Sequence, residues 1–318
     1  METMHKEYKV LVTGGAGFIG SHVVDCLLSQ GFIVTVLDSF KRGNKLSRSV
    51  LSDRIEVVNG DVRNDSLVDK LMGGKDYCIH LTAVLGVDIV ADNPVETMEV
   101  ETIGTNNVCN SAIRYGVRRV VYASTSGVYG KAAIEKAVDE NFPGTPSSSY
   151  AIAKRFNEIY LMSLWEEKKL PSVALRYFNV CGARQDSRMV LPRFIEQALT
   201  NKPLTVYGDG AQTRDFTNVL EVAQITVALM SMKGVGSTNV NISSSGETSV
   251  LKVAHKVVEL LGKDKSLIHL IEPPSGRKEF EVGRRFGDST LLDKLVGMVP
   301  CKAIDLSIQE YINERENG

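Results

Sequence analysis

The chain has 318 residues, 43% of them hydrophobic, and a formal net charge of -1. That length allows one large domain or two smaller ones, and the near-neutral charge gives no support for a nucleic-acid-binding surface. Residues 1–9 are polar and charged, so no secretory leader is expected, and no apolar stretch approaches the about 20 residues of a membrane helix.

Tyr8 to Thr13 is a short apolar run with the character of a buried strand. It enters Gly14-Gly15-Ala16-Gly17-Phe18-Ile19-Gly20, a loop with four glycines. A helical apolar pattern follows, at Ile19, Val23, Val24, Leu27 and Leu28. Glycine suits a tight turn whose backbone must approach a diphosphate closely. The first N–H groups of the helix and the positive end of its dipole then face that diphosphate. A second strand, Ile33 to Leu37, ends in Asp38. An acid roughly 20 positions after the last glycine is placed to accept hydrogen bonds from an adenosine ribose. Strand, glycines, helix, strand and acid in this order predict dinucleotide binding. Asp38 favours NAD over NADP, because it would repel a 2′-phosphate; the nearby Lys41 and Arg42 argue slightly the other way.

A third strand at 55–58 leads to Asn59-Gly60-Asp61-Val62. Helix 66–72, strand 77–81, a long helix from about 94 to 115 and strand 119–124 come next. A helix from about 149 to 168 and strand 173–177 complete the regular part. The repeated β–α–β order predicts an α/β fold, a doubly wound parallel sheet of Rossmann type covered on both faces. Ligands then gather at the carboxyl ends of the strands, where Asp61, Thr82, Thr125 and Asn179 lie. Beyond about residue 180 the rhythm loosens, with turns at 206–210 and 273–276 and shorter helices near 192–200, 219–232, 249–262 and 305–315. The expected division is a dinucleotide-binding domain over 1–180 and a mainly substrate-binding lobe over 181–318, with some later segments returning to the sheet. Cys26, Cys78, Cys109, Cys181 and Cys301 are dispersed with no CxxC pair. They read as reduced, buried thiols of a cytoplasmic protein, with no metal site.

Tyr150-Ala151-Ile152-Ala153-Lys154 opens the 149–168 helix. Residues four apart share a helix face. A lysine cation beside a phenol favours the phenolate, so Lys154 is expected to lower the ionisation of Tyr150 and make it a general base. Taken alone, such a pair is ordinary helix surface; coupled to the glycine loop it reads as catalytic.

With these residues assembled, the chain resembles the extended short-chain dehydrogenase/reductase family, the NAD-dependent sugar-nucleotide epimerases and dehydratases, and most of all the UDP-glucose 4-epimerase type. The matching segments are Thr13 to Gly20, Gly60-Asp61-Val62, His80-Leu81-Thr82-Ala83, Ser124 to Gly130, Tyr150 to Lys154, Arg176 to Gly182 and Tyr207 to Phe216. The resemblance implies that Gly14, Gly17, Phe18, Ile19, Gly20 and Asp38 hold NAD, that Asp61 and Val62 hold its adenine, and that Leu81 and Ala83 line its channel. It implies catalysis by Thr125, Tyr150 and Lys154, with Lys154 also on the nicotinamide ribose. Thr125 and Ser126 would meet the sugar. Asn179, Arg214 and either Arg284 or Arg285 would meet the diphosphate of a nucleotide sugar, with Val190, Leu191 and Phe194 in the nucleobase pocket. Arginine's fork of donors suits a diphosphate in any case. A homodimer is implied through the helices at about 94–115 and 149–168, using Val108, Ala112, Ile152, Ile159 and Met162.

Two places discriminate between reactions. Dehydratases of this family carry an Asp-Glu pair after the Thr, and the similar decarboxylases keep a Glu; this chain has Ser126 and Gly127. Glycine can neither take nor give a proton, so the resemblance points to epimerisation at C4 of a UDP-sugar. A 4-reductase, a dehydratase using another acid, and a non-catalytic NAD-binding regulator are the alternatives. The second departure is Glu101, where Asn is usual: a local cap or pairing partner is the plainer reading, a replacement acid the sharper one. Thr82 also stands where Ala is common, and Val84 to Asp88 is apolar and names no sugar.

Overall fold

The computed structural model describes residues 7–47, 53–84, 86–130, 136–273, 283–301 and 304–317. Along the chain the strands are β1 (Lys9–Thr13), β2 (Ile33–Asp38), β3 (Ile55–Asn59), β4 (Tyr77–His80), β5 (Arg119–Thr125), β6 (Ser172–Tyr177), β7 (Asn179–Cys181), β8 (Leu204–Tyr207), β9 (Thr213–Arg214), β10 (Phe216–Asn218), β11 (Ser237–Ile242), β12 (Thr248–Ser249) and β13 (Ile268–Ile271). The helices are α1 (Phe18–Ser29), α2 (Asp65–Met72), α3 (Val87–Asp92), α4 (Pro94–Tyr115), α5 (Ser149–Lys168), α6 (Val190–Leu199), α7 (Val219–Ser231), α8 (Val250–Leu260), α9 (Thr290–Val296) and α10 (Asp305–Asn317).

Seven strands form one parallel sheet in the order β11-β6-β5-β4-β1-β2-β3. Alternation along each strand sends side chains to opposite faces. Val10 and Val12 of β1 join one buried cluster with Val23, Val24 and Leu27 of α1 and Val222 and Ile225 of α7. Leu11 points the other way, into a cluster with Val68 of α2, Val108 and Ala112 of α4, and Leu161 of α5. The sheet is therefore covered on both faces, as the β–α–β order predicts. Strand order reverses at the β1–β4 junction, and the crevice beyond the carboxyl ends of these two strands is where such folds place ligands.

Helices α3 and α9, strand β11 and the short strands after β6 escape the sequence reading. Helix α3 falls in and beyond the apolar segment after Val84. Strand β11 carries the polar run Ser237-Thr238-Asn239 before Val240 and Ile242, and so lacks a continuous apolar signal; it pairs with β6 at the edge of the sheet. Helices α7 and α9 pack on the α1 face, so residues after 180 share the main core. A third cluster, built from α6, β8, α8 and α10, forms the remainder of the C-terminal half. The turn expected at 274–276 lies outside the described residues.

Candidate active site

At the carboxyl end of β1 the glycines do separate jobs. Gly14 has φ +71, and a methyl group there would fall 2.7 Å from the Thr82 backbone nitrogen. A methyl on Gly20 would fall 2.2 Å from the Gly14 carbonyl oxygen. Gly20 thus lets the first turn of α1 lie directly on the loop. Gly17 caps α1 without a side-chain hydrogen bond. The N–H groups of Phe18, Ile19 and Gly20 belong to the first turn, which has no intrahelical acceptors, and they face the switch-point crevice with the positive end of the helix. This is a cradle that an anionic diphosphate fits.

Asp38 ends β2 beside this loop. Its Oδ2 accepts from Ala16 N–H at 3.0 Å and its Oδ1 from Phe40 N–H at 2.8 Å, fixing the carboxylate while each oxygen keeps a lone pair for a hydroxyl. Lys41 is turned to Glu96 at 2.6 Å. Asp61 is engaged by Arg63, with Nη2 2.7 Å from Oδ2, and that pairing holds its carboxyl below its ordinary value. Val62 is buried under α4: a methyl on Gly104 would meet its Cγ1 at 2.5 Å, and Asn107 donates to its carbonyl. Leu81 follows β4 and donates its N–H to Thr13 O at 2.9 Å; Leu81 and Ala83 are half-buried beside the glycine loop.

The acid/base candidates come together from β5 and α5. Thr125 is the last residue of β5 and acts on Tyr150 so as to ease its ionisation, while its Oγ1 accepts from Gly127 N–H at 3.0 Å. Ser148 caps α5 by accepting from Ala151 N–H, which places Tyr150 in the first turn and Lys154 one turn on. Lys154 Nζ lies 5.5 Å from the centre of the Tyr150 ring and 4.6 Å from that of Tyr122.

The expected pull of Lys154 on Tyr150, which is half-buried, is opposed by Glu101. Lys154 Nζ is paired with Glu101 Oε2 of α4 at 2.9 Å, and both side chains are fully buried. Tyr150 is pushed well above the ordinary tyrosine value, first by burial and then by the Glu101 charge, against the effect of Thr125. Burial likewise raises Glu101, with Lys154 opposing. Tyr122 O–H donates to Glu101 Oε2 at 3.2 Å, and Asn157 Nδ2 donates to the Glu101 carbonyl and the Tyr122 hydroxyl. Sequence reasoning missed Tyr122 and Asn157. The position of Tyr122, three residues before Thr125 on the same strand, was the available signal for one of them.

The substrate-side candidates divide. Strand β7 pairs with β10, setting Asn179 opposite Phe216, and Arg214 lies just before that pair in β9. Arg285 is largely buried and donates to Gly130 O at 2.6 Å; its Nε has no hydrogen-bond partner among the described residues. Burial first, and then the neighbouring Arg214 charge, pull its ionisation down to about 10. The half-buried Arg214, which donates to Thr213 O at 2.7 Å, adds its like charge beside Arg285, and a bound anion would relieve that repulsion. Arg284 is instead clamped by Glu247, whose carboxylate takes Nε and Nη2 at 2.6–2.9 Å and also the Thr213 hydroxyl at 2.6 Å.

Leu191 and Phe194 are corrected: both are fully buried in the core that α6 shares with α8, so their side chains do not line an open base pocket. Val190, at the start of α6, is half-buried. The open surface nearby is a cleft of about 590 Å³ lined by Tyr207, Asp209, Gln212 and Glu272 among others, and Arg193 stacks on Tyr207 at 5.0 Å. Val108 and Ala112 are likewise core residues, on the buried face of α4, not interface residues, whereas Ile152, Ile159 and Met162 are exposed. Among the cysteines, Cys301 is exposed and Cys26 half-buried, so the all-buried reading fails for these two.

Among the described residues no helix is long and apolar enough to cross a membrane, and no cluster of His, Cys, Asp and Glu is arranged to hold a metal.

Comparison with known proteins agrees with this geometry. The NAD dependent epimerase/dehydratase family matches residues 10–243. A putative UDP-glucose 4-epimerase of Methanocaldococcus jannaschii is 37% identical over 314 residues, covering 97% of this chain and 99% of that protein. The UDP-N-acetyl-alpha-D-glucosaminuronate decarboxylase of Bacillus cytotoxicus is 33% identical over 312 residues, covering 96% of each. Among solved structures, the UDP-glucose 4-epimerase of Thermotoga maritima with UDP-glucose superposes with a TM-score of 0.88 at 28% identity, covering 97% of this chain and 99% of that one.

Proposed function

Because the chain belongs to the NAD dependent epimerase/dehydratase family, we propose that it inverts C4 of a nucleotide-diphosphate sugar, a UDP-sugar, through a transient 4-keto sugar. The family joins sugar-nucleotide epimerases, dehydratases and decarboxylases, and the choice among them rests on one observation. Gly127 stands where the eliminating and decarboxylating relatives are expected to carry an acid. A methyl group at Gly127 would already sit 3.3 Å from the Thr125 side chain and 3.6 Å from Ala151 Cβ. The site therefore offers Thr125 and Tyr150 to the sugar, with no acid at the Gly127 position; the neighbouring carboxyl, Glu101, is engaged by Lys154 and Tyr122.

The chemistry that bound NAD would supply is reversible hydride transfer with the sugar. The glycine cradle and the first turn of α1 would hold its diphosphate, and Asp38 its adenosine ribose. The protein's own work is proton transfer and orientation. Thr125 holds the sugar O4, and Tyr150 removes its proton as the carbonyl forms. Arg214, Arg285 and Asn179 grip the diphosphate while the 4-keto sugar turns over, so binding energy from the nucleotide retains the intermediate. Tyr150 then returns the proton on the opposite face. Lys154 reaches the nicotinamide ribose only in competition with Glu101.

Incubation with a panel of nucleotide sugars and no added reductant, followed by NMR at C4, tests the reaction. C4 epimers are expected; a product lacking the sugar carboxylate or the 6-hydroxyl would refute epimerisation. Tyr150→Phe should lower kcat by roughly 10²–10⁴ with nucleotide-sugar binding retained, and full turnover would sink the mechanism.

We also propose a homodimer through α4 and α5. Ile103, Ile152, Phe156, Ile159 and Met162 are exposed there, and a contiguous apolar face of this kind marks an association site. Sedimentation of the wild type and of Phe156→Lys should give a dimer and a monomer; a monomeric wild type rejects it.

A further inference from the structure

Glu101 is built differently from a carboxylate that only holds a fold together. Buried charges of that kind are ringed by donors. Glu101 has one contact with Lys154 and one with the Tyr122 hydroxyl, and its Oε1 has no hydrogen-bond partner among the described residues. The groups facing the cluster come from four elements. Helix α4 contributes Glu101; β5 contributes Tyr122 and Thr125; α5 contributes Tyr150, Lys154 and the neutral Asn157; β4 contributes His80. The imidazole of His80 sits between Thr13 Oγ1 at 2.6 Å and Thr105 Oγ1 at 3.1 Å, and burial, with the Lys154 charge adding to it, takes it down to about 3. Tyr122 is held well above the ordinary tyrosine value by burial and then by Glu101. His80 and Tyr122 are therefore both neutral across the working range. The charge of Glu101 acts on Tyr150, and Lys154 Nζ lies 5.5 Å from the centre of its ring.

We propose that Glu101 is a positioning residue for the proton transfer: paired with Lys154, it cancels that lysine's pull on Tyr150 and keeps Tyr150 in its protonated form through neutral pH. The inference rests on the reading of Tyr150 as the acid/base. Its chemical consequence is a bias in the cycle. Deprotonating the sugar hydroxyl requires the phenolate, whereas protonating the keto oxygen requires the phenol. A site weighted toward the phenol is slow to open the cycle and quick to close it, which suits an enzyme that must not release a keto sugar.

The test replaces Glu101 with Gln, which keeps an oxygen for Tyr122 and removes the charge. The sign follows from Coulomb's law: taking a negative charge away from a phenol makes the phenolate easier to form. The acid limb of the kcat–pH profile should move down by about one unit or more, and turnover on that limb should rise about tenfold per unit. Below the pH at which Glu101 itself takes a proton, the wild-type and variant curves should converge. A second measurement needs neither turnover nor cofactor. The ultraviolet tyrosinate titration of the wild type, less that of Tyr150→Phe, should place Tyr150 above the usual value of about 10. The same difference in the Glu101→Gln background should be lower.

An unmoved or raised limb, or a wild-type Tyr150 that titrates below ordinary tyrosine, overturns the proposal. If Glu101→Gln does not fold, Glu101→Asn, which also removes the charge, takes its place in both measurements. If no sugar is epimerised while Tyr150 titrates high and falls in Glu101→Gln, the assigned reaction is wrong and this inference stands.

Discussion

Two buried acid–base pairs meet on α5, where Lys154 and Glu158 lie one turn apart, and they are built to opposite specifications. Glu158 of α5 is saturated. Arg176 reaches it through Nε at 2.8 Å and Nη2 at 2.9 Å, Ser124 donates at 2.6 Å, and Arg155 donates at 2.8 Å. Arg176 is itself held by the Tyr129 hydroxyl and the Glu140 carbonyl. Burial alone would raise the Glu158 carboxyl, but Arg176, aided by Ser124 and Arg155, outweighs it and leaves the group below its ordinary value. Glu101 has a single point-charge partner and a bare oxygen, and burial wins. Guanidinium gives a rigid fork and ammonium a point charge. The first pair locks β5, β6 and α5 together; the second leaves unspent charge beside the tyrosine.

The largest expected effect breaks the saturated pair. Arg176→Met should leave the buried Glu158 with Arg155 and Ser124 as its remaining partners and cost about 3–5 kcal/mol of folding free energy, read by denaturant unfolding. Glu101→Gln should cost clearly less, because its pairing is poorer and the amide keeps the Tyr122 contact. Equal losses would erase the distinction between a structural and a functional pair.

The same contrast recurs one layer outward, in the two adjacent arginines. Arg284 is clamped on both sides of its fork by Glu247. Arg285 is largely buried, has one backbone acceptor for Nη2, and is crowded by Arg214. Arg285→Met should raise KM for the nucleotide sugar about 10- to 100-fold, on the order of 2 kcal/mol for a buried charged hydrogen bond, with little change in kcat. Arg284→Met should leave KM within a few fold, since a partly exposed pair contributes about 0–1 kcal/mol. Reversed ranks would mean that Glu247 releases Arg284 to the substrate.

How much of this is legible in the sequence depends on the range of the force involved. The glycine loop is local sterics: Gly14 needs its positive φ and Gly20 its missing side chain whatever the rest of the protein does, so the motif reads directly. Tyr150 and Lys154 are set by helical spacing and read nearly as well. Their charge state does not, because it depends on Glu101 arriving from another helix and on burial that no spacing reveals. Glu101 shows only as an odd residue in a familiar place. Leu191 and Phe194 fail for a different reason. An apolar helix face looks the same whether it lines a base pocket or packs on α8, and here α8 takes it. Arg284 and Arg285 are neighbours in the chain, and only tertiary structure shows which one Glu247 claims.

The smallest effect tests the comparison without removing a partner. The two carboxyls should give opposite dependences of stability on pH. Glu158 is held below its unfolded value, so its contribution is present above that value, near about 4.3, and is lost as pH falls through the folded one. Glu101 is raised, so its ionised form costs stability at neutral pH, and that cost disappears as pH falls from the folded value to the unfolded one. The stability difference between wild type and Glu158→Gln should therefore shrink on acidification. The difference between wild type and Glu101→Gln should shift in favour of the wild type over the same direction of change. Urea unfolding of the three proteins across the acid range would show it. Parallel curves for the two variants would mean that both carboxyls are equally satisfied, and the bare oxygen of Glu101 would then have no energetic consequence.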